Sequence, residues 1–449
     1  MFVSPAREAA YRILRRVESG RALAVDLLQG PQVASLREVD RRLATELVMG
    51  TLRWRGELDF QIERLSGKPL KYFDPEIATI LRLSIYQIQF LEKVPKSAAV
   101  NEAAELTKAA RKRSAVGLVN AVLRKCEPSR RRLSVQGIQQ PESEVIQSLR
   151  RSFPPWLLER WERNFGPQAA QALAWASNLV PPTTLGVCEC EPEDVQRLFA
   201  AEGIQAAPGK YAGQALVVQS GNIQASSALR EGRVVIQDEA SQLVGALVAP
   251  EAGERVLDLC AAPGIKARQL AGALGRGTLV ACDLSARRLA TMVRLLPKRV
   301  WPELQLFLIR LDAARELPFA RTFHRILLDV PCSGTGTLAR NPEIKWRLQP
   351  KDLTRLAGIQ ERMLRNALEV LAPGGRLVYA TCSLEPEENQ QVVEKVLQAT
   401  EGFRLQTAAE LSAEFPALAP LFDSRGYFRT RPDLHSMDGF FAAMIVRTP

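Results

Sequence analysis

Residues 255–283 read "RVLDLCAAPGIKARQLAGALGRGTLVACD". Two short apolar runs, "RVLDLC" and "TLVACD", flank a small-residue loop and a stretch with helical spacing, "KARQLAGAL". Strand, loop, helix, strand is the repeating unit of a parallel sheet. The alternation continues downstream. "LQLFLIRLD", "HRILLDVP" and "GRLVYATCS" are strand-like, while "SARRLATMVRLL", "LTRLAGIQERMLRNALEVL" and "PEENQQVVEKVLQAT" are helical. Runs that are apolar throughout mean strands buried on both faces, with helices as the covering layers. "GFFAAMIVR" closes the chain as a late strand. Residues 236–449 are therefore expected to form an α/β, Rossmann-like domain with a mostly parallel, doubly wound sheet.

Upstream the period changes. Residues 1–130 carry apolar positions at three- and four-residue spacing, as in "DRRLATELVMGTLRWRGELDFQIERL" and "PEIATILRLSIYQIQFLEKV". Short turns separate these stretches, which predicts an all-α bundle. Asp74 before Pro75 has the form of an N-cap followed by proline at the first helical position. Residues 127 to 145 are polar and basic, with Pro128, Gly137 and Pro141, and read as a linker. Residues 145–235 contain two helical stretches and then "TTLGVCEC", "PEDVQRLFAAEG" and "ALVVQS", a small α+β segment.

The formal net charge of +11 points to a polyanionic partner. The charge clusters at Lys108, Arg111, Lys112 and Arg113, and again at Arg124, Lys125, Arg130, Arg131 and Arg132. No apolar run approaches a membrane span and the first residues lack a continuous apolar core, so a cytoplasmic protein without a membrane partner is expected. The seven cysteines are scattered, with no CxxC, and the two histidines are His324 and His435. Neither a disulfide framework nor a metal centre is expected from that pattern. Cys188 and Cys190 form a CxC that strand alternation would put on one face, packed in a core.

Ligands of doubly wound sheets bind beyond the carboxyl ends of the strands. The residues there are "DLCAAPGIK" from Asp258 to Lys266, then Asp283, Asp312, Asp329 to Cys332, and Thr381 to Ser383. In dinucleotide-type sites an acid at the end of the second strand accepts from ribose hydroxyls. Asp283 fits that place and suits an adenosine-containing ligand. A hydride-transfer enzyme shares this much of the pattern. Cys332 and Cys382 each end a strand-like run and enter a polar loop. A disulfide, metal ligation, core packing and a reactive pair all remain open on the residues alone. Cys260 and Cys282 lie in strand-like runs and read as small buried hydrophobes.

Taken together, "VLDLCAAPGIKARQLA", "LLDVPCSGTGTLARNPEIKWR", "LAPGGRLVYATCSLEPEENQQVV" and "RPDLHSMDGFFAAMI" resemble the RNA cytosine-5 methyltransferase family that uses S-adenosylmethionine. "QDEASQLV" matches it too. The helical N-terminus, with "LVMGTLRWRGELD", "VPKSAAVNEAAEL" and "LVNAVLRK", resembles the NusB-like RNA-binding domain of the bacterial subgroup that methylates 16S ribosomal RNA. The resemblance covers nearly the whole chain.

The resemblance implies roles. Cys382 is the nucleophile that adds to carbon-6 of cytosine, and Cys332 eliminates the enzyme afterwards. Asp329 contacts the cytosine edge and lies near the cofactor. S-adenosylmethionine is held by Cys260, Ala261, Ala262, Pro263, Gly264, Ile265 and Lys266 at its methionine end, by Asp283 at the ribose and by Asp312 at the adenine. Trp346 and Arg347 are expected to stack on or anchor RNA near the pocket. Two positions depart from the family loop, which has a second glycine and a threonine where this chain has Ile265 and Ala267. "TLGVCEC" has Gly186 and Cys188 where the family commonly has Arg-Val-Asn. The alternatives are a transfer RNA cytosine-5 methyltransferase with the same chemistry, and a non-catalytic RNA-binding or assembly protein on the same fold.

Overall fold

The computed structural model describes residues 3–20, 22–128, 143–297 and 300–448. Most of the expected linker, with Gly137 and Pro141, and the basic residues Arg130, Arg131 and Arg132 lie outside the described residues. The chain divides into two compact units.

The first unit comprises residues 1–180 together with Leu338–Leu348. Its N-terminal part is helical as the spacing predicts, with helices Pro5–Glu18, Glu38–Arg53, Arg55–Ser66, Pro75–Phe90, Lys96–Ala109 and Val116–Lys125. Pro75–Phe90 is the central element. Ile77, Ile80, Leu81, Leu83 and Ile85 are all at or below 2% exposure, so the helix is covered on every side. Its one cation, Arg82, is buried and neutralised by Glu18 at 2.7 Å and by Asp59. Asp74 occupies the N-cap position, but its side chain makes no capping bond. It pairs instead with Lys112 at 2.8 Å. Helices Pro155–Phe165 and Pro167–Asn178, grouped by sequence with the middle segment, pack in this unit.

The second unit holds two sheets. The smaller contains β1 (Thr184–Val187), β2 (Gln205–Pro208), β3 (Ala215–Ser220) and β4 (Val234–Ile236), antiparallel in the order β2-β3-β1-β4. Val195 and Phe199 of helix Pro192–Ala201 pack on Leu185, Leu216 and Val234 of this sheet. Cys188 and Cys190 are not on a strand face. β1 stops at Val187, and Glu189 between the two cysteines has φ 51°, so they sit in a turn.

The larger sheet contains β5 (Arg255–Asp258), β6 (Gly277–Asp283), β7 (Leu304–Arg310), β8 (Phe323–Asp329), β9 (Leu371–Thr381), β10 (Phe403–Leu405) and β12 (Phe441–Arg447), in the order β10-β12-β9-β8-β5-β6-β7. A short β11 (Phe428–Arg429) pairs with β12. β5 to β9 are parallel neighbours and β12 runs antiparallel to β9. Successive side chains separate into two cores, as a period of two requires. Leu327, Val378 and Ala380 face helices Glu239–Ala246, Ile265–Leu274 and Ala286–Leu295. Ile326, Leu328, Leu377 and Tyr379 face Pro350–Glu369 and Gln390–Gln398. The strand order reverses between β5 and β8, the place where such sheets open a crevice at their carboxyl edge.

Candidate active site

β8 and β9 pair in parallel with Asp329 opposite Ala380. Their carboxyl ends are level, so the residues following them share one crevice. The Cys332 and Cys382 sulfurs lie 3.3 Å apart there, both as free thiols. Two backbone bonds hold their loops together: Val330 N donates to Ala380 O and Gly336 N donates to Cys382 O, each at 3.0 Å. The hydrogen bond with Cys382 and then burial push the Cys332 thiol well above the ordinary thiol range, and the negative charges of Cys382, Glu388 and Asp329 add to this. Cys332 therefore keeps its proton at neutral pH.

Lys266, in the first turn of the Ile265–Leu274 helix, reaches Asp329 at 2.8 Å and lies 5.3 Å from the Phe440 ring centroid. Burial pulls the Lys266 ammonium down, but the charge and hydrogen bond of Asp329 outweigh it and the pKa is raised. Asp258, at the end of β5, is 1% exposed. No side-chain donor reaches either of its oxygens. Burial, and then repulsion from Asp329, pushes its carboxyl up to about 7.

The loop after β5 is tied across the sheet: Leu259 N donates to Leu327 O and Ala261 N to Cys282 O. Gly264 has φ 110°, a conformation that side chains avoid, and a Cβ there would lie 3.0 Å from Met292 Cγ. Asp283 ends β6 and accepts from Ser285 N at 2.8 Å. Asp312, two residues past β7, accepts from Ala314 N at 3.0 Å. The expected cofactor residues thus stand at one edge of one sheet.

Two expectations need correction. Cys260 is not inside a strand: β5 ends at Asp258, and Cys260 begins the loop, packed against the core below. Cys282 is inside β6 and buried, with burial raising its thiol to about 12. The polar groups of Trp346 and Arg347 are bonded within the helical unit and are not held free for RNA. The segment Leu338–Leu348 packs in the helical unit, where Trp346 Nε1 donates to Leu52 O at 3.0 Å and Arg347 donates to Val17 O and Ala22 O.

One constellation escaped the sequence. Glu388 is fully buried and accepts from Ser333 N at 2.8 Å, Ser383 Oγ at 2.6 Å, Gln360 Nε2 at 3.0 Å and Ser333 Oγ. Its signal was the acid pair of "EPEEN", which helical spacing assigned to a helix. The helix starts only at Gln390, which leaves Glu388 in the preceding turn and facing inward.

The curated protein "Probable ribosomal RNA small subunit methyltransferase B" of Bacillus subtilis is 33% identical over 97% of each chain. Ribosomal RNA small subunit methyltransferase B of Pseudomonas putida is 34% identical over 98% of each. The profile of the 16S rRNA methyltransferase RsmB/F family matches residues 245–446. This chain belongs to the RsmB/F methyltransferase family. The NusB family profile matches residues 4–128 of this RsmB/F member, and an RsmF/B-like ferredoxin-like domain matches 153–224. A methyltransferase homolog protein from Pyrococcus horikoshii shares its fold over 68% of this chain and all of its own, at 27% identity and a TM-score of 0.56. In the RsmB/F loop of this chain, Ala267 is buried in the core. Ile265 lines a cleft of about 770 Å³ with Cys188, Gln242 and Arg268.

Proposed function

We propose that this chain methylates carbon-5 of a cytosine in 16S ribosomal RNA, using S-adenosylmethionine and a covalent bond between Cys382 and carbon-6 of the base. The observation that carries the reading is the 3.3 Å approach of two thiols at the ends of adjacent strands, beside the Lys266–Asp329 pair. Family membership and the small-subunit names of the relatives support ribosomal RNA as the substrate. In this reading residues 1–130 dock RNA, residues 145–235 assist, residues 236–449 hold the chemistry, and the enzyme works in the cytoplasm. Among the described residues no helix is long and apolar enough to cross a membrane.

The residues present fit S-adenosylmethionine. Residues 260–266 form a loop whose glycine leaves backbone accessible, Asp283 suits ribose hydroxyls and Asp312 the adenine side. The buried carboxyl of Asp258, which no side-chain donor reaches, ends β5 just before that loop. When bound, this cofactor supplies an electrophilic methyl group.

The target base must leave its stack to reach the crevice. The Cys382 thiolate forms a bond to carbon-6, and the electron pair of the carbon-5–carbon-6 double bond makes carbon-5 nucleophilic. Asp329, held by Lys266, accepts a hydrogen bond from the cytosine edge and supports protonation at nitrogen-3. Once Cys382 is a thioether, the hydrogen bond that most raises the Cys332 pKa is gone, and so is the Cys382 charge, while burial remains. Cys332 then ionises more easily at the stage that needs a base. Its thiolate takes the carbon-5 proton, the double bond re-forms, and Cys382 leaves as thiolate.

The test is methyl transfer from labelled S-adenosylmethionine to unmodified 16S ribosomal RNA. Wild type should turn over, Cys382→Ala should be inactive, and Cys332→Ala should stall as a denaturant-resistant protein–RNA adduct. Full activity of Cys382→Ala would refute the nucleophile. Labelling of transfer RNA alone would refute the substrate.

A further inference from the structure

We propose that Glu388 is a positioning residue that sets the spacing and orientation of the two cysteines. Ser333 and Ser383 each directly follow a cysteine, and both hydroxyls donate to the same oxygen, Glu388 Oε2. The other oxygen, Oε1, accepts from the Ser333 backbone amide at 2.8 Å. The carboxylate thus grips the chain immediately after Cys332 and immediately after Cys382.

The grip is extended on both sides. Gln360 Nε2 donates to Glu388 Oε1 and to Pro331 O, each at 3.0 Å, which fixes the residue before Cys332 as well. Tyr379 in β9 donates its hydroxyl to Glu388 O at 2.6 Å, which fixes the backbone of Glu388 itself. Thr335 Oγ1 accepts from Leu384 N at 2.9 Å, and Asn389 Nδ2 donates to Ser383 O at 2.8 Å. Every one of these side chains is at or below 6% exposure.

A buried carboxylate with no cation among these partners needs its donors to stay in place. The Ser333 and Ser383 hydroxyls lie 3.0 Å apart, so the two loops cannot separate without stripping donors from Glu388. A sulfur pair at 3.3 Å needs such a constraint, because neither loop is a regular strand at the cysteines. Glu388 contacts neither sulfur. It positions them through the two serines, beside the direct effect of its charge on the Cys332 thiol. The spacing claim stands on the structure alone, while its effect on turnover rests on the covalent mechanism proposed above.

The experiment compares Glu388→Ala and Glu388→Gln with wild type in two assays. Steady-state methyl transfer to 16S ribosomal RNA gives kcat and KM. Fluorescence from dibromobimane, which bridges only neighbouring thiols, reports the Cys332–Cys382 spacing, with Cys382→Ala as the blank. Glu388→Ala is expected to lower kcat by about 100-fold. Both KM values should stay within about threefold, and bridging should slow. Glu388→Gln, which keeps the volume and one acceptor, should recover kcat to within about tenfold of wild type. An unchanged kcat or an unchanged bridging rate in Glu388→Ala overturns the proposal. If Glu388→Ala does not fold, Ser383→Ala carries the same readouts: slower bridging with a fall of about tenfold supports it, and wild-type values overturn it. Failure of the covalent mechanism would appear separately, as activity in Cys382→Ala.

Discussion

Lys266 Nζ stands 2.8 Å from Asp329 Oδ2, joining the helix after β5 to the end of β8. Its positive charge also restrains the rise of the Asp258 pKa. One ammonium therefore serves two acids at the carboxyl edge of the sheet.

Lys266→Met should leave both acids without that cation. Breaking a largely buried pair by removing one partner is expected to cost roughly 3 kcal/mol, read as a lower urea midpoint. Methyl transfer should fall by about 100-fold, because Asp329 loses the group that orients it.

Asp258 predicts a pH dependence of stability. Its carboxyl titrates near 7 in the fold and near 3.8 as a free side chain, so the folded state holds the extra proton between those values. Stability from this group therefore falls as pH rises from about 4 to about 7. Asp258→Asn removes the titration. It should be more stable than wild type at pH 8 by on the order of 4 kcal/mol, with the gap closing below pH ~4. Urea unfolding across that range tests this, and a pH-independent gap would refute it.

Lys345 slopes the other way. It is 1% exposed, donates to Arg53 O at 2.9 Å and Asn178 Oδ1 at 2.8 Å, and lies 3.8 Å from the Phe153 ring centroid. Burial and then the Arg53 charge hold its pKa well below the ordinary lysine value. Above that depressed value the unfolded chain binds the extra proton, so this group adds stability as pH rises toward about 10. In Lys345→Met that rise should vanish, as measured by chemical unfolding at pH 7 and pH 10.

Gly336 marks where the cysteine loop meets the last loop of the sheet. A Cβ there would lie 1.9 Å from the backbone oxygen of Gly439, which cannot swing aside. Gly336→Ala should destabilise by roughly 3 kcal/mol in thermal or urea unfolding. Displacing its hydrogen bond to Cys382 O should also lower kcat at least about tenfold.

Much of the fold was legible because its signals are local. The continuous apolar runs of β5, β6, β8 and β9 and the helical spacing between them specify a doubly covered parallel sheet without reference to any contact. That Cys332 and Cys382 stand at one edge followed too, since parallel strands end at the same edge, while the pairing of β8 with β9 brings them together. Other residues misled. "IKWR" has the composition of an RNA contact, yet its indole N–H and guanidinium are bonded to backbone oxygens of the helical unit. "TLGVCEC" alternates like a strand, yet β1 ends before its cysteines because Glu189 turns the chain.

By itself the sequence determined the two secondary-structure regimes, the strand ends that carry acids and thiols, and the family. Run length and period depend on each residue's own preference for water or core, so they can be read one segment at a time. Only the tertiary structure decided that Glu388 joins the residues beside both cysteines, that Asp258 is left without a side-chain donor, and that Lys266 pairs with Asp329. Those outcomes depend on strand register and on which loops close over one another. Both arise between residues distant in the chain, whose partners no local pattern names.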